Sequence, residues 1–387
     1  MKKDIPIDTL TSRDVESLAL ADKRRKEKRI AVSLYLGVKA DRDFREVANS
    51  LFSEERKRLD KRDDFTKDER DRIDVVFSAI ERRLRTMRLP DKTRAFVIFC
   101  DDSNARHFYK VPVYIPSRLV VERSWYVHPF VKSLAQYPHY AVVFLERDRA
   151  RIFNYLWGEV EDESEEILSE VPQRMNTART ANRGVEEKKV RNHIEVHVNR
   201  HLKKVAAATE AYMDENEIPF LVIASRKELI ARFETFLSGA VRKKIAGSYL
   251  TRTDQDMQKI KARSLEVIDG FEYEREEGII RRLVGGSSKK ERSAVLGMED
   301  VLRELENFRI LVLAIGKRYT PRGYLCADDQ RLYPEEDTNL VCVSPLAAQS
   351  DLADEIIEAA IAQGVEIVHF VHEHADFDRH GVGAILR

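Results

Sequence analysis

VEIVHFV at residues 365–371 and GVGAILR at residues 381–387 are two short β-type runs, separated by a polar turn that carries Asp376 and Asp378. Two such runs closing a chain predict adjacent strands that finish a small α/β domain, the last one pairing with Glu366–Val371. Period two puts Val382, Ala384 and Leu386 on one face of the final strand and Gly383 and Ile385 on the other. Gly381 and Gly383 permit a bulge or a close approach, and Gly383 is expected where a helix backbone comes near.

Working back from the tail, Ser350 is expected to cap a helix carrying Leu352, Ile356, Ile357, Ala360 and Ile361, which Gly364 ends. A helix through Val301, Leu302 and Leu305 leads into the strand RILVLAIG, residues 309–316. Residues 258–283 read as a long helix and residues 284–291, VGGSSKKE, as a linker without phosphate-loop spacing. Further upstream, AVVFLE and ARIFNYLWG (residues 141–146 and 150–158) form a hairpin turning at Asp148 and Arg149. A helix with Ile194, Val198, Leu202, Val205, Thr209 and Tyr212 on one face follows, then the strand FLVIA (residues 220–224) and a helix through Leu229, Phe233 and Leu237. Nearest the start come a strand over Ile30–Leu36 and a helix with Phe44, Val47, Ala48, Leu51 and Phe52. A second helix is opened by the capping box of Thr66 and Glu69, with a stripe from Ile73 to Met87, and the buried strand AFVIFC follows at residues 95–100.

At 387 residues the chain is long enough for two or three cores. The pattern predicts three domains of mixed α/β and α+β class: an α+β domain over 1–136, an α/β domain over 137–253 and an α/β domain over 254–387. Sixty-seven basic residues balance sixty-seven acidic ones, so any nucleic-acid surface must come from segregation of charge. Such segregation is present. Residues 159–170 hold seven carboxylates and no lysine or arginine, while residues 174–204 hold nine basic residues against three glutamates. The second stretch is suited to phosphate backbones, with Met175 and Asn176 available for base contacts. Cys100, Cys326 and Cys342 are far apart without zinc spacing, which reads as free thiols in a reduced cytoplasm. No apolar run reaches the roughly 18 residues of a membrane span, and MKKDIPIDT is not a secretion signal.

His193, His197 and His201 share a helical face, read as partly solvated. His372 and His374 lie on one side of an extended chain near His380, but no clear third metal ligand is visible in the sequence. No metal or cofactor is assigned from these residues.

The ordered set of motifs resembles the archaeal and eukaryotic peptide-chain release factors and Pelota. VSLYL (32–36) resembles the release-factor N-domain strand, YAVVFLERDRARIF (140–153) and HLKKVAAATEAYM (201–213) the hairpin and long helix of the middle domain. SAVLGMEDVLRELENFRILVLAIG (293–316) through GVGAILR resembles the C-domain, which implies an L7Ae-like, ribosomal-protein-like sandwich. Two departures matter. Family members that release peptides carry Gly-Gly-Gln just before the long helix, where this chain has Arg183, Gly184 and Val185, with no polar atom to position water. The codon-reading Asn-Ile-Lys-Ser tip is also missing, and KRDDFTKDER (61–70) stands at the helix junction.

These departures make the chain similar to the bacterial branch that includes hibernation factors of the Balon type. The resemblance implies a cytoplasmic, non-hydrolytic factor that fills the ribosomal A site and blocks decoding and peptidyl transfer. Its partners would be 16S and 23S rRNA and a translational GTPase such as elongation factor Tu. No catalytic residue is assigned. The rRNA-binding candidates are Arg174, Arg179, Arg183, Lys188, Lys189, Arg191, Lys203 and Lys204. The alternative is a peptidyl-tRNA hydrolase acting in release or rescue, for which Gln173 and Asn182 are the nearby amides.

Overall fold

The structure is a computed structural model that describes residues 8–9, 30–62, 65–103, 105–164, 166–169, 183–251, 257–287, 293–326, 331–335, 342, 346–349 and 351–387. It divides into two compact units: residues 1–136 with 276–387, and residues 137–275. Both mix helices with sheets, as the sequence predicts.

The first unit has two lobes. In the N-terminal lobe a five-stranded sheet runs in the order Asp8–Thr9, Arg106–Val111, Ala95–Asp101, Ala31–Gly37, Arg118–Glu122. Its central strands are buried on both faces, which is why they read as unbroken apolar runs. Helices Phe44–Leu59 and Lys67–Thr86 cover one face, sending Ala48, Phe52, Ile73, Phe77 and Ile80 into the core. The capping box forms as predicted: the Glu69 amide donates to Thr66 Oγ1 and the Thr66 amide to Glu69 Oε2.

In the C-terminal lobe the order is Ala294–Leu296, Val382–Leu386, Ile310–Ile315, Glu366–His369. The final strand is therefore central, antiparallel to Ile310–Ile315, and does not pair with Glu366–His369 as expected from the sequence. Ile310–Ile315 lies between the two and runs parallel to Glu366–His369. The turn at 370–381 thus crosses over one strand, because it carries a short helix, Ala375–Asp378, rather than a tight hairpin. Gly383 does sit in a close approach, but to the Leu296 side chain and the Phe377 ring rather than to a helix backbone. Helix Leu352–Ala362 is capped by Asp351, whose carboxylate accepts the Ala353 amide, so the cap lies one residue beyond the expected Ser350, itself outside the described residues. Gly364 ends that helix with φ of 67°.

A small sheet of Leu332–Pro334, Gly323–Cys326 and Leu346–Gln349 completes the lobe, and a disulfide joins Cys326 to Cys342. This corrects the reading of free thiols: the antiparallel pairing of 323–326 with 346–349 brings two distant cysteines together. Cys100 stays free, and burial pushes its thiol up to about 12.

Asp354 fastens the two lobes of this unit to each other. Its Oδ1 accepts the amides of Val127 and His128 at 2.8 and 2.6 Å. Burial, then the nearby carboxylates of Glu355, Glu122 and Asp351, drive the Asp354 carboxyl well above its ordinary pKa.

The second unit has one sheet in the order Ile245–Leu250, Phe220–Ser225, Tyr140–Leu145, Arg149–Leu156, Glu159–Glu163, with Ile167–Leu168 also pairing to Arg149–Leu156. The predicted hairpin is present, Tyr140–Leu145 against Arg149–Leu156. Alternation splits its side chains. Ala141, Val143 and Leu145 meet Val198, Leu202 and Val205 on one face, while Tyr140 and Val142 meet Ile260 and Ile268 on the other.

Candidate functional site

The helix Arg183–Glu215 organises the second unit, and its first half carries four of the nine basic residues of the segregated stretch together with all three of its glutamates. The stripe predicted for it is found: Val198, Leu202, Val205 and Thr209 are buried, and Ile194 and Tyr212 pack at its ends. Glu195 is held by Arg232, which donates to it at 2.6 Å and to Asn199 at 2.7 Å. That pairing fixes the rotation of the helix over Lys227–Phe236.

Arg183, Gly184 and Val185 do not form a loop. They are the first turn of this helix, so the single glycine stands in helical backbone. Glu186 and Glu187 follow at once and favour a helix start, because carboxylates near the N-terminus meet the positive end of the macrodipole. Lys188, Lys189 and Arg191 lie in the next turns of the same helix. Ile194 is the earliest described residue of the helix in the core, so the 11 residues before it account for about 16 Å of helix at about 1.5 Å per residue. Arg174, Arg179, Gln173 and Asn182 lie outside the described residues, as do Met175 and Asn176.

Lys203 and Lys204 are exposed but already engaged. The Lys203 ammonium lies 5.6 Å from the Phe236 ring centroid, and Lys204 Nζ donates to the Leu168 carbonyl at 3.2 Å. Beside them, His201 Nδ1 meets Ser169 Oγ at 2.8 Å, and the Ser169 amide donates to the Asp148 carbonyl. The chain is therefore anchored at Ser169 against the middle of the helix. It re-enters at Arg183, 18 residues or about 27 Å back along the axis.

The three histidines of this helix part company. His201 is fully buried, and burial lowers its pKa, whereas His193 is exposed and stacks edge to face on His197 at 4.6 Å. The reading of a shared, partly solvated face therefore holds for His193 and His197 but not for His201, which points toward Ser169.

In the first unit, the helix junction around Lys61–Arg70 is stapled to the sheet. Arg62 donates to the Val121 carbonyl at 3.0 Å, and the guanidiniums of Arg62 and Arg123 cover Phe65 at 4.7 and 4.5 Å. Burial works to raise the Glu69 carboxyl, but hydrogen bonds from Arg123 and the Thr66 backbone outweigh it and hold it at about 2. Of this junction's charged side chains, Arg62 is taken up in stacking on Phe65, and Lys61, Lys67 and Asp68 stay exposed. Among the described residues, Glu276, His372 and His374 form a group of metal-ligating type. Sequence reasoning missed Glu276 because it lies 96 residues from His372. No helix among the described residues is long and apolar enough to cross a membrane.

Residues 126–270 match the family described as bacterial archaeo-eukaryotic release factor family 10. The resemblance to release factors read from the sequence is therefore supported over that stretch. No curated protein sequence matches the chain. Among solved structures, an archaeal translation termination factor is 16% identical, with 98% of this chain and 99% of that chain covered and a TM-score of 0.27. A translation termination-like factor of S. cerevisiae involved in RNA quality control is 11% identical, with 75% and 79% covered and a TM-score of 0.43. Archaeoglobus fulgidus Pelota is 15% identical, with 76% and 79% covered and a TM-score of 0.29.

Proposed function

We propose, starting from the release-factor family match over residues 126–270, that this chain is a ribosome-binding translation factor that acts by occlusion. Its middle portion would enter the A site and reach the peptidyl transferase region of 23S rRNA with the basic segment 174–204. The N-terminal lobe would stand against 16S rRNA and block decoding. The C-terminal lobe, ribosomal-protein-like by resemblance, would face a translational GTPase, for which elongation factor Tu is the bacterial candidate.

The observation that carries this reading is the first turn of helix Arg183–Glu215. Peptidyl-tRNA hydrolysis on this scaffold needs a backbone freed by paired glycines and an amide side chain beside the ester. Here the backbone is helical from Arg183 onward, only one glycine is present, and Val185 offers no polar atom. What remains is charge on a rod, which is a means of binding phosphate backbones and not of turnover. The stapled helix junction at Arg62, Phe65 and Arg123 agrees with a lobe that fills space rather than reading a codon.

The test is a pair of measurements on purified ribosomes. Co-sedimentation is expected to show binding that competes with A-site transfer RNA. Single-turnover incubation with stalled peptidyl-tRNA complexes is expected to release no peptide above background. Release at a robust rate would replace occlusion with a hydrolytic rescue function, and failure to compete with A-site ligands would remove the A-site assignment.

A further inference from the structure

We propose that Glu276, His372 and His374 form a binding site for a divalent cation of the zinc class, with Glu277 orienting one of the ligands. Glu276 lies on the helix Met257–Gly286, and the two histidines follow the strand Glu366–His369. The fold brings them to one point. Nε2 of His374 stands 2.7 Å from Oε2 of Glu276, and Nδ1 of His372 stands 3.0 Å from the same oxygen. One ligand atom from each of the three residues lies within 4.8 Å of the other two. A tetrahedral zinc with bonds of about 2.0–2.2 Å sets its ligand atoms roughly 3.3 Å apart, so the three need shift by only a fraction of that to enclose the ion.

The arrangement around His374 suits a metal ligand. His374 has a carboxylate oxygen at each ring nitrogen, Glu276 at Nε2 and Glu277 Oε1 at 3.0 Å from Nδ1. The His374 ring is buried, with 4% side-chain exposure. With a cation, Nδ1–H donates to Glu277 and Nε2 turns its lone pair to the metal. This is the carboxylate–histidine–metal relay that fixes a ligand's tautomer. Glu276 is itself held in place, since its other oxygen, Oε1, accepts the Val371 amide at 2.6 Å, and the His374 amide is tied to Asp378 at 2.9 Å. Two imidazoles and one carboxylate suit a borderline ion, and poorly suit magnesium or calcium. His372 is 21% exposed while Glu276 is 1% exposed, so the fourth position opens toward water on the His372 side. The ion would clamp the turn after Glu366–His369 onto the helix, in the lobe whose last strand lies beyond that turn.

The experiment uses the full chain, stripped by chelator and titrated with zinc against a chromophoric competitor. Cobalt is substituted in parallel to read coordination by its d–d absorption. The wild type is expected to take one zinc per chain, give a tetrahedral cobalt spectrum and melt at higher temperature with metal. His372→Ala, the variant that disturbs folding least because this ligand is the most exposed, is expected to weaken zinc by at least about 100-fold. Glu277→Gln should weaken it by about 10- to 100-fold, as loss of an outer partner does elsewhere. His193→Ala, which alters the surface histidine pair of the other unit, should change nothing. Equal zinc affinity in wild type and His372→Ala would show a hydrogen-bonded cluster only and overturn the proposal. Loss of binding in His193→Ala would overturn it as well, by moving the zinc elsewhere.

Discussion

Nδ1 of His128 lies 2.6 Å from Oδ2 of Asp351, a buried contact between residues 223 apart that joins the two lobes of the first unit. The same carboxylate oxygen accepts the Tyr126 hydroxyl at 2.8 Å, and Nε2 of His128 meets Nε2 of His369 at 3.2 Å. Nδ1 of His369 faces the Phe370 carbonyl at 3.1 Å, and a carbonyl only accepts. His369 therefore carries its hydrogen on Nδ1 and receives the Nε2–H of His128.

This arrangement predicts a pH-dependent stability for the first unit. Burial, then the neighbouring His128, pushes the pKa of His369 down to about 3. The folded state keeps His369 neutral while the unfolded chain protonates it near the ordinary value of about 6.5. The unfolded state thus binds more protons between about pH 6.5 and 3, and stability falls as pH falls through that window, by up to about 1.4 kcal/mol per unit. Asp354 and Lys132 have shifted titrations of their own, so the informative quantity is a difference. His369→Gln should be less stable than wild type at pH 7, and its melting temperature should drop less steeply between pH 7 and 4. Parallel wild-type and variant profiles would count against the proton-poor His369.

Asp351 serves two purposes, and two substitutions separate them. Asn replaces the helix cap well and removes the charge, whereas Ala removes cap, charge and acceptor together. Asp351→Ala should cost roughly 3–5 kcal/mol in urea unfolding, since Tyr126 and His128 are left buried without their acceptor. Asp351→Asn should cost less by at least the cap, about 1 kcal/mol. Equal losses would mean that the cap contributes nothing beyond the carboxylate's own contacts.

Much of the fold was legible in the sequence because the period of apolar residues reports which face is buried. The stripe from Ile73 to Leu84, the hairpin at Asp148 and the face of Val198, Leu202 and Val205 all carry that signal. Strand order does not follow from periodicity. Nothing local in GVGAILR tells it to pair with Ile310–Ile315 instead of its sequence neighbour. The helical state of Arg183–Val185 was hidden for a different reason: a lone glycine reads as a loop, and the glutamates and lysines after it decide otherwise. The cysteine pair and the Glu276–His372–His374 group depend on contacts across many residues, so residue type alone could not assemble them.

If residues 174–204 meet rRNA, charge reversal at Arg179, Arg183, Lys188 and Lys189 should weaken ribosome binding and flatten its salt dependence. Four lost phosphate contacts at about 0.7–0.9 each reduce the slope of log K against log salt by about 3. Lys203 and Lys204, engaged with Phe236 and Leu168, should contribute less when reversed in the same assay. Co-sedimentation unchanged across a salt series would remove the rRNA assignment.

Val185 offers a sharper test of chemistry. Val185→Ala removes no polar atom and favours helix, so ribosome binding should stay within about twofold of wild type. Gly184→Pro sits in the first helical turn, where proline is tolerated, and should likewise be mild. A release activity that vanishes in Gly184→Pro would show that the segment leaves the helix and works as a catalytic loop.

Deleting Gly381–Arg387 tests the stretch on which the fold was first read. Val382–Leu386 separates Ala294–Leu296 from Ile310–Ile315, so its loss strips ladder hydrogen bonds from two strands at once. It also removes Val382, Ile385 and Leu386, which are 1%, 5% and 8% exposed, each worth roughly 1.5–3 kcal/mol of burial. Together these approach the whole stability of an ordinary domain, about 5–15 kcal/mol. The C-terminal lobe should therefore unfold and become protease-sensitive. Residues 137–275 should survive as a resistant fragment, because their apolar clusters around Val205 and Tyr140 contain no residue of the tail. Gly381→Ala is the subtler form of the same test. Gly381 has φ of 70°, and a Cβ there would run into the Tyr319 ring, so either the ring or the backbone must move. A partial loss of C-terminal protection is expected from that single methyl. Full resistance in the truncated chain would mean that the strand Ile310–Ile315 can stand as an edge, and the central place of the tail in folding would have to be abandoned.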